Sequence, residues 1–253
     1  MHKYFEINGA GHNVRCKLYY GDLKKIQNIV IFAHGFGGHK DNGAAELFAQ
    51  RLTAKYPTWA MITFNWPTHG DDVKKVLRLA DCEAYYTLVI DYAREKFQPR
   101  GLYSYATSFG GYMTLRYIHR NGSPFRKIAL RCPAINMYEA LTRTIMDSDS
   151  LALLEKGKTI PVGFDRKVPV SPELLHELKE QDIQSWDFLD YAEDTLILHG
   201  TKDEVIPFEV SRAFADNQLM EFIPVEGADH RFRNPKAMEQ AMKEILAWFV
   251  SGD

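Results

Sequence analysis

Two short, almost unbroken apolar runs, residues 28–33 and 60–64, flank a helical stretch at 44–55. A strand with one solvated face alternates apolar and polar residues, whereas a strand covered on both faces by crossover helices is apolar throughout. The pair therefore reads as a βαβ unit of a parallel sheet, and the rhythm repeats. A helix at 82–97 behind Asp81 as its cap, a strand at 101–106, a helix at 110–120 and a strand at 127–132 follow. Later come a strand at 195–199, a helix at 208–217, a strand at 220–225 and a helix at 235–249. Two strands at the start, 4–7 and 14–20, are joined by a glycine-bearing turn and form an antiparallel hairpin.

The alternation lapses between Ile135 and Ala192, where charges mix with Val-Pro steps and a hairpin is predicted across 160–170 around Gly163-Phe164-Asp165. The expected architecture is α/β: an eight-stranded, mostly parallel, doubly wound sheet with helices on both faces, in one domain spanning 1–253. A small cap at 136–190 is inserted after the sixth strand. Open sheets of this kind bind ligands at the carboxyl ends of their strands, so chemistry is expected just after strands.

Three strand ends carry such chemistry. Tyr105-Ala106-Thr107-Ser108-Phe109-Gly110-Gly111 falls where a strand turns directly into a helix, with small residues two before and two after the serine. A sharp turn that exposes a nucleophile needs those small residues, because both positions are pressed against neighbouring backbone. His34-Gly35-Phe36-Gly37-Gly38 follows the strand at 28–33 and supplies a close backbone approach. The amides of Phe36 and Phe109 are the expected pair of donors to an oxyanion. Asp203, in Gly200-Thr201-Lys202-Asp203, and His230, in Gly227-Ala228-Asp229-His230, complete a Ser, Asp, His order. Serine becomes a nucleophile when an imidazole takes its proton, and a carboxylate fixes that imidazole's tautomer.

Other residues fit those roles less well. His199 ends a strand and reads as a hydrogen-bonded structural histidine, His34 shapes the glycine loop, and His69 is placed on the site rim. Asp229 adjoins His230 and points elsewhere, and Asp194 lies before its strand, at the wrong end of the sheet.

Composition narrows the function classes. Apolar residues at 45%, charged residues at 25% and a formal net charge of -2 leave no basic field to hold nucleic acid. Cys16, Cys82 and Cys132 form no CxxC pair and read as buried free thiols, so neither metal nor cofactor is expected. No apolar run approaches the ~18 residues of a spanning helix, and the amino terminus has no apolar core, so a cytoplasmic protein without membrane attachment is expected. Self-association as a homodimer stays open.

On the His34-Gly35-Phe36 loop, the Ser108 turn, the segment from His199 to Pro207 and the segment ending at His230, the sequence resembles the α/β-hydrolase superfamily along essentially its whole length. Within it the chain is most similar to small bacterial carboxylesterases that include feruloyl and cinnamoyl esterases. Ala106 stands where the commoner turn has glycine, and Pro67-Thr68-His69-Gly70-Asp71-Asp72 replaces the commoner G-H-G-x-S pattern. The resemblance implies a serine carboxylesterase working through an acyl-enzyme on a small-molecule ester, with hydroxycinnamoyl esters as one candidate. A peptidase or thioesterase with the same three residues is the alternative, and a non-catalytic ligand-binding homologue is another. The inserted cap is expected to supply the substrate pocket through Tyr138, Asp147, Asp149, Phe164 and Trp186, or else to close its own small core around Phe164 and Trp186.

Overall fold

The computed structural model describes residues 1–251. Among these, eight strands form one sheet in the order β1-β2-β4-β3-β5-β6-β9-β10. The antiparallel start is β1 (His2–Gly9) and β2 (His12–Tyr20). The inner strands are β3 (Asn28–Ala33), β4 (Trp59–Phe64), β5 (Gly101–Thr107) and β6 (Lys127–Arg131). The short β7 (Ile160–Val162) and β8 (Val168–Val170) pair only with each other, as the predicted hairpin. β9 (Thr195–Gly200) and β10 (Glu221–Val225) then extend the parallel sheet beside β6.

The continuous apolar strands divide their side chains between two layers, as a period of two requires. Ile29 and Ile31 face one core with Tyr85, Tyr86, Met113 and Leu115, while Val30 and Phe32 face the other with Phe48, Leu52, Ile245 and Phe249. The second layer is built by α1 (Gly43–Lys55) and α8 (Pro235–Val250). The first is built by α2 (Leu79–Phe97) and α3 (Phe109–Asn121), joined by part of the segment between β6 and β9.

That segment holds α4 (Met137–Glu139), which runs on through a wider turn at Ala140–Ile145, then α5 (Ser148–Glu155), the β7–β8 hairpin and α6 (Pro172–Glu180). Leu154, Leu174, Leu178 and Ile183 anchor it in the first core. α7 (Phe208–Gln218) connects β9 to β10. No helix among the described residues is long and apolar enough to cross a membrane.

One boundary departs from the sequence reading. α2 begins at Leu79, with Arg78 extended and making no side-chain cap, so Asp81 sits within the first turn instead of capping it. The orphan Leu79 amide is taken at 3.0 Å by the Glu177 carboxylate, 98 residues away in sequence. A helix start satisfied from that distance has no local signature.

Candidate active site

Ser108 stands between β5 and α3 with φ 51° and ψ −118°, a region that side chains rarely occupy. The turn is fixed by its own backbone: the Ser108 carbonyl accepts from Gly111 N at 2.8 Å, Ala134 N at 3.0 Å and Tyr112 N at 3.1 Å, and its amide donates to Arg131 O at 3.1 Å. Close packing enforces the small flanking residues. A Cβ on Gly110 would lie 2.0 Å from the Ala33 carbonyl oxygen, so any side chain there breaks the contact between α3 and β3. Ala106 is fully buried, and its methyl group is accommodated where glycine was the commoner choice.

The structure brings the three distant residues together. His230 Nε2 is 3.0 Å from Ser108 Oγ, and His230 Nδ1 is 2.8 Å from Asp203 Oδ2. With Nδ1–H donating to the carboxylate, Nε2 is left to accept the serine proton. The Asp203 side chain is fully buried. Its Oδ1 accepts the Val205 and Ile206 amides, both at 2.8 Å, and its Oδ2 also lies 3.1 Å from His199 Nε2. Burial pushes this carboxyl up, but hydrogen bonds from His199 and His230 and their charges outweigh it and hold the group far below the usual carboxylate range. Asp203 is therefore an anion throughout the working pH range.

His199 is structural in the sense expected, with Nε2 also 3.0 Å from the Ile206 carbonyl. Its donation to Asp203 was not legible from sequence: it makes the carboxylate a junction of two imidazoles. The His230 loop is held in turn by Glu204, whose Oε2 accepts the His230 amide at 3.1 Å and whose Oε1 accepts from Arg233 at 3.2 Å. Asp229 turns away to the Arg233 amide, 2.9 Å from its Oδ1.

The glycine loop lies over Ser108. A Cβ on Gly35 would come 3.1 Å from the serine Cβ, and the Gly35 carbonyl is already occupied by Gly38 N at 2.9 Å and His34 Nδ1 at 2.8 Å. His34 is completely buried, accepts from the Trp66 amide at Nε2 (3.3 Å), and its carbonyl accepts from the Trp66 indole N–H (2.8 Å). Burial holds its imidazole well below the usual range, hence neutral. His69 is not on the rim. It is 1% exposed, stacked 6.3 Å from the Phe109 ring and edge-on to Phe36 at 5.7 Å, and so lies beneath the loop. Phe36 and Phe109, the residues expected to present the two amides, have ring centroids 6.0 Å apart; the Phe109 amide opens α3 and has no intrahelical acceptor.

Above Ser108 opens a cavity of about 300 Å³, lined by the glycine loop, Thr107, Ser108, Arg131, Ile145, the tip of the β7–β8 hairpin from Gly163 to Arg166, Val205, His230 and Arg231. Of the pocket residues expected from sequence, Phe164 is in this lining; Tyr138, Asp147, Asp149 and Trp186 are not. Asp147 caps α5 through the Ser150 amide at 2.8 Å, with Asp149 in that helix's first turn. Tyr138 packs against the first core, and the Trp186 ring lies tilted against His119 of α3 with centroids 4.4 Å apart. Of these aromatic residues, Trp186 thus docks the segment onto α3, and Phe164 faces the cavity. Arg131 also lines the cavity, although in the sequence it is one residue of the strand at 127–132.

Among the described residues one group of three potential metal-ligating side chains, Cys132, Asp203 and His230, brings its atoms within 4.8 Å of one another. Burial pushes the Cys132 thiol up, away from the thiolate a metal would require, and the other two are already bonded to each other. The hydrogen-bonded trio of Ser108, His230 and Asp203 accounts for the cluster.

Residues 64–252 match the model of the prolyl oligopeptidase family. No curated protein sequence matches the chain. Among solved structures, Est1E from Butyrivibrio proteoclasticus with ferulic acid bound superposes with TM-score 0.78 at 17% identity, over 97% of this chain and 99% of that one. The esterase domain of a Rhodothermus marinus protein gives TM-score 0.70 at 17% identity, over 98% and 97% of the two chains. Mouse alpha/beta hydrolase domain-containing protein 10 gives 0.69 at 15% identity, over 98% of each. Similarity at these identities establishes an α/β-hydrolase fold.

Proposed function

We propose, for a chain that belongs to the prolyl oligopeptidase family and has the α/β-hydrolase fold, that it is a serine hydrolase of small carboxylic esters. One observation carries the reading: a serine Oγ in a strained strand-to-helix turn lies 3.0 Å from an imidazole whose other nitrogen is 2.8 Å from a buried carboxylate. Ser108 Oγ attacks the ester carbonyl as His230 Nε2 takes its proton. The resulting oxyanion is received by the amides of Phe36 and Phe109, and His230 then gives the proton to the departing alkoxide. Water, deprotonated by His230, attacks the acyl-serine and regenerates the hydroxyl, releasing the acid. Asp203 holds the Nδ1–H tautomer and stabilises the imidazolium formed in both halves.

A cavity of about 300 Å³ is at the small end of ligand pockets, which favours a short substrate. An aromatic acyl group of the hydroxycinnamoyl type is the finer form of this reading, supported by the rings of Phe36 and Phe164 in the lining and by the fold shared with the ferulate-bound Est1E. Family membership favours a second reading, a peptidase acting on short peptides through the same three residues.

The test is a matched set of 4-nitrophenyl esters and 4-nitroanilides together with methyl ferulate and short alkyl esters, combined with labelling by a fluorophosphonate. Turnover of the esters with an adduct on Ser108, both abolished by Ser108→Ala at an unchanged Tm, is the expected result. Faster anilide cleavage would assign the peptidase, and an unlabelled serine would remove the mechanism altogether.

A further inference from the structure

Arg131, the last residue of β6, is 7% exposed and lines the cavity above Ser108. A guanidinium carries five N–H donors and no acceptor, and when buried it ordinarily finds carboxylates or carbonyl oxygens. This one does not. Among the described residues its hydrogen bond is from Nη1 to the Met238 sulfur at 3.2 Å, and its carbon lies 5.1 Å above the Phe232 ring. Its Nε is buried with no partner at all. A thioether is a weak acceptor and a ring face a partial one, so a nearly buried permanent cation has one donor without a partner and another on a poor acceptor.

The rest of the lining is also rich in this sign. Arg166 and Arg231 belong to it, while the one acid in it, Asp165, is taken up by Arg231 at 2.6 Å. Arg166 forms no ion pair with a carboxylate among the described residues. Asp203 and Glu204 lie outside the lining: Asp203 is enclosed behind His230 with both oxygens occupied, and Glu204 accepts from the His230 amide and from Arg233.

We infer that the substrate carries an ionised carboxylate in addition to the bond cleaved, and that Arg131 receives it within the cavity. The inference rests on the ester-hydrolase reading and adds the substrate class to it. A guanidinium meets a carboxylate through two parallel hydrogen bonds, and a charged pair of this kind sheltered from water discriminates strongly against a neutral analogue. The carboxylate belongs either to the acyl or to the alcohol part, and two pairs of esters separate those cases.

For the acyl side, the mono-4-nitrophenyl ester of adipic acid is compared with the same ester of adipamic acid, in which a primary amide replaces the acid. For the alcohol side, 4-carboxyphenyl acetate is compared with 4-carbamoylphenyl acetate. The expected result is a kcat/KM ratio, acid over amide, of about 10 or more in one pair. That ratio falls towards 1 in Arg131→Gln and recovers partly in Arg131→Lys. Because the ratio is taken within one enzyme, a general loss of activity in a variant cancels. Alongside turnover, adipate and adipamide are tested for raising the Tm of each protein, with only adipate expected to stabilise the wild type and neither Arg131→Gln. A ratio near 1 in both pairs, or a preference and stabilisation that persist in Arg131→Gln, overturns the inference. Failure of the underlying reading looks different: no ester is hydrolysed and Ser108 takes no fluorophosphonate, while the Tm comparison still decides whether Arg131 holds a carboxylate.

Discussion

The carboxyl edge of the sheet and the β7–β8 hairpin above it face the same cavity but are held by different physics. At the edge, Asp203 is fully buried with four donors on its two oxygens, and Ser108 is pinned by four backbone hydrogen bonds. At the hairpin, Phe164 is 50% exposed and Asp165, with a side chain 81% exposed, reaches Arg231 at 2.6 Å. The Arg231 guanidinium also lies 5.2 Å from the Phe164 ring. Buried polar networks have few alternative arrangements, because each unmade hydrogen bond is expensive, whereas exposed ion pairs contribute about 0–1 kcal/mol and are screened by salt. The same cavity thus has a floor on which geometry is dictated and a rim on which it is adjustable. Chemistry needs the first and substrate choice tolerates the second.

The largest effect that would break this comparison is expected at the floor. Asp203→Asn keeps the shape of the carboxylate but presents an amide where two imidazoles and two backbone amides donate. The His230 ring then loses the acceptor that fixes its tautomer, and kcat should fall by roughly 1000-fold or more with KM little changed. Steady-state kinetics on a 4-nitrophenyl ester measures this. A loss below about tenfold would mean that the edge does not depend on Asp203 and that the contrast with the hairpin is misplaced.

A second test concerns the buried packing under the glycine loop. Burial pulls the His69 imidazole down to about 4, against the opposing hydrogen bond to the Pro67 carbonyl and the charge of Asp72. In the unfolded chain the same group titrates near ~6.5, so between these values the unfolded state binds more protons and acid favours unfolding. The contribution of His69 is therefore intact above about pH 6.5 and is lost progressively as the pH falls towards 4, by on the order of 3 kcal/mol. Urea unfolding at pH 7 and pH 5 should show a smaller acid-induced loss in His69→Gln than in the wild type. Part of the loss will remain in that variant, because burial also holds His34 well below its usual range. An unchanged pH dependence would show that the space beneath the loop is wetter than its packing implies.

The division between floor and rim also explains what the sequence disclosed. Strand runs such as Asn28–Ala33, buried on both faces, and the small residues around Ser108 answer to constraints that act within a few positions, so they are visible in the chain itself. The three residues that converge at the edge were legible because each follows a strand of a parallel sheet, whose carboxyl ends all point one way. What escaped depends on partners distant in sequence. The start of α2 is satisfied by Glu177, His199 gains its second role only where Asp203 folds back, and Trp186 is spent on His119 rather than on a ligand. Arg131 was hidden for a related reason: a charged residue ending an apolar strand looks like a surface boundary until the elements around it remove the water.

The smallest expected effect sharpens the comparison from the rim. Asp165→Asn removes the charge that ties the hairpin to the His230 loop, while leaving an amide of nearly the same size. With side chains 81% and 38% exposed, the Asp165–Arg231 pair lies in the range where ion pairs contribute 0–1 kcal/mol, a factor of about 5 at most. Since neither group touches Ser108, Asp203 or the imidazole of His230 through a hydrogen bond, the change should fall on KM and leave kcat within about twofold. Raising the ionic strength should bring the wild type towards the variant, because salt screens the pair at the rim far more than the buried one at the floor. A drop in kcat comparable to that of Asp203→Asn, insensitive to salt, would mean that the hairpin is part of the catalytic framework and that floor and rim form one structure.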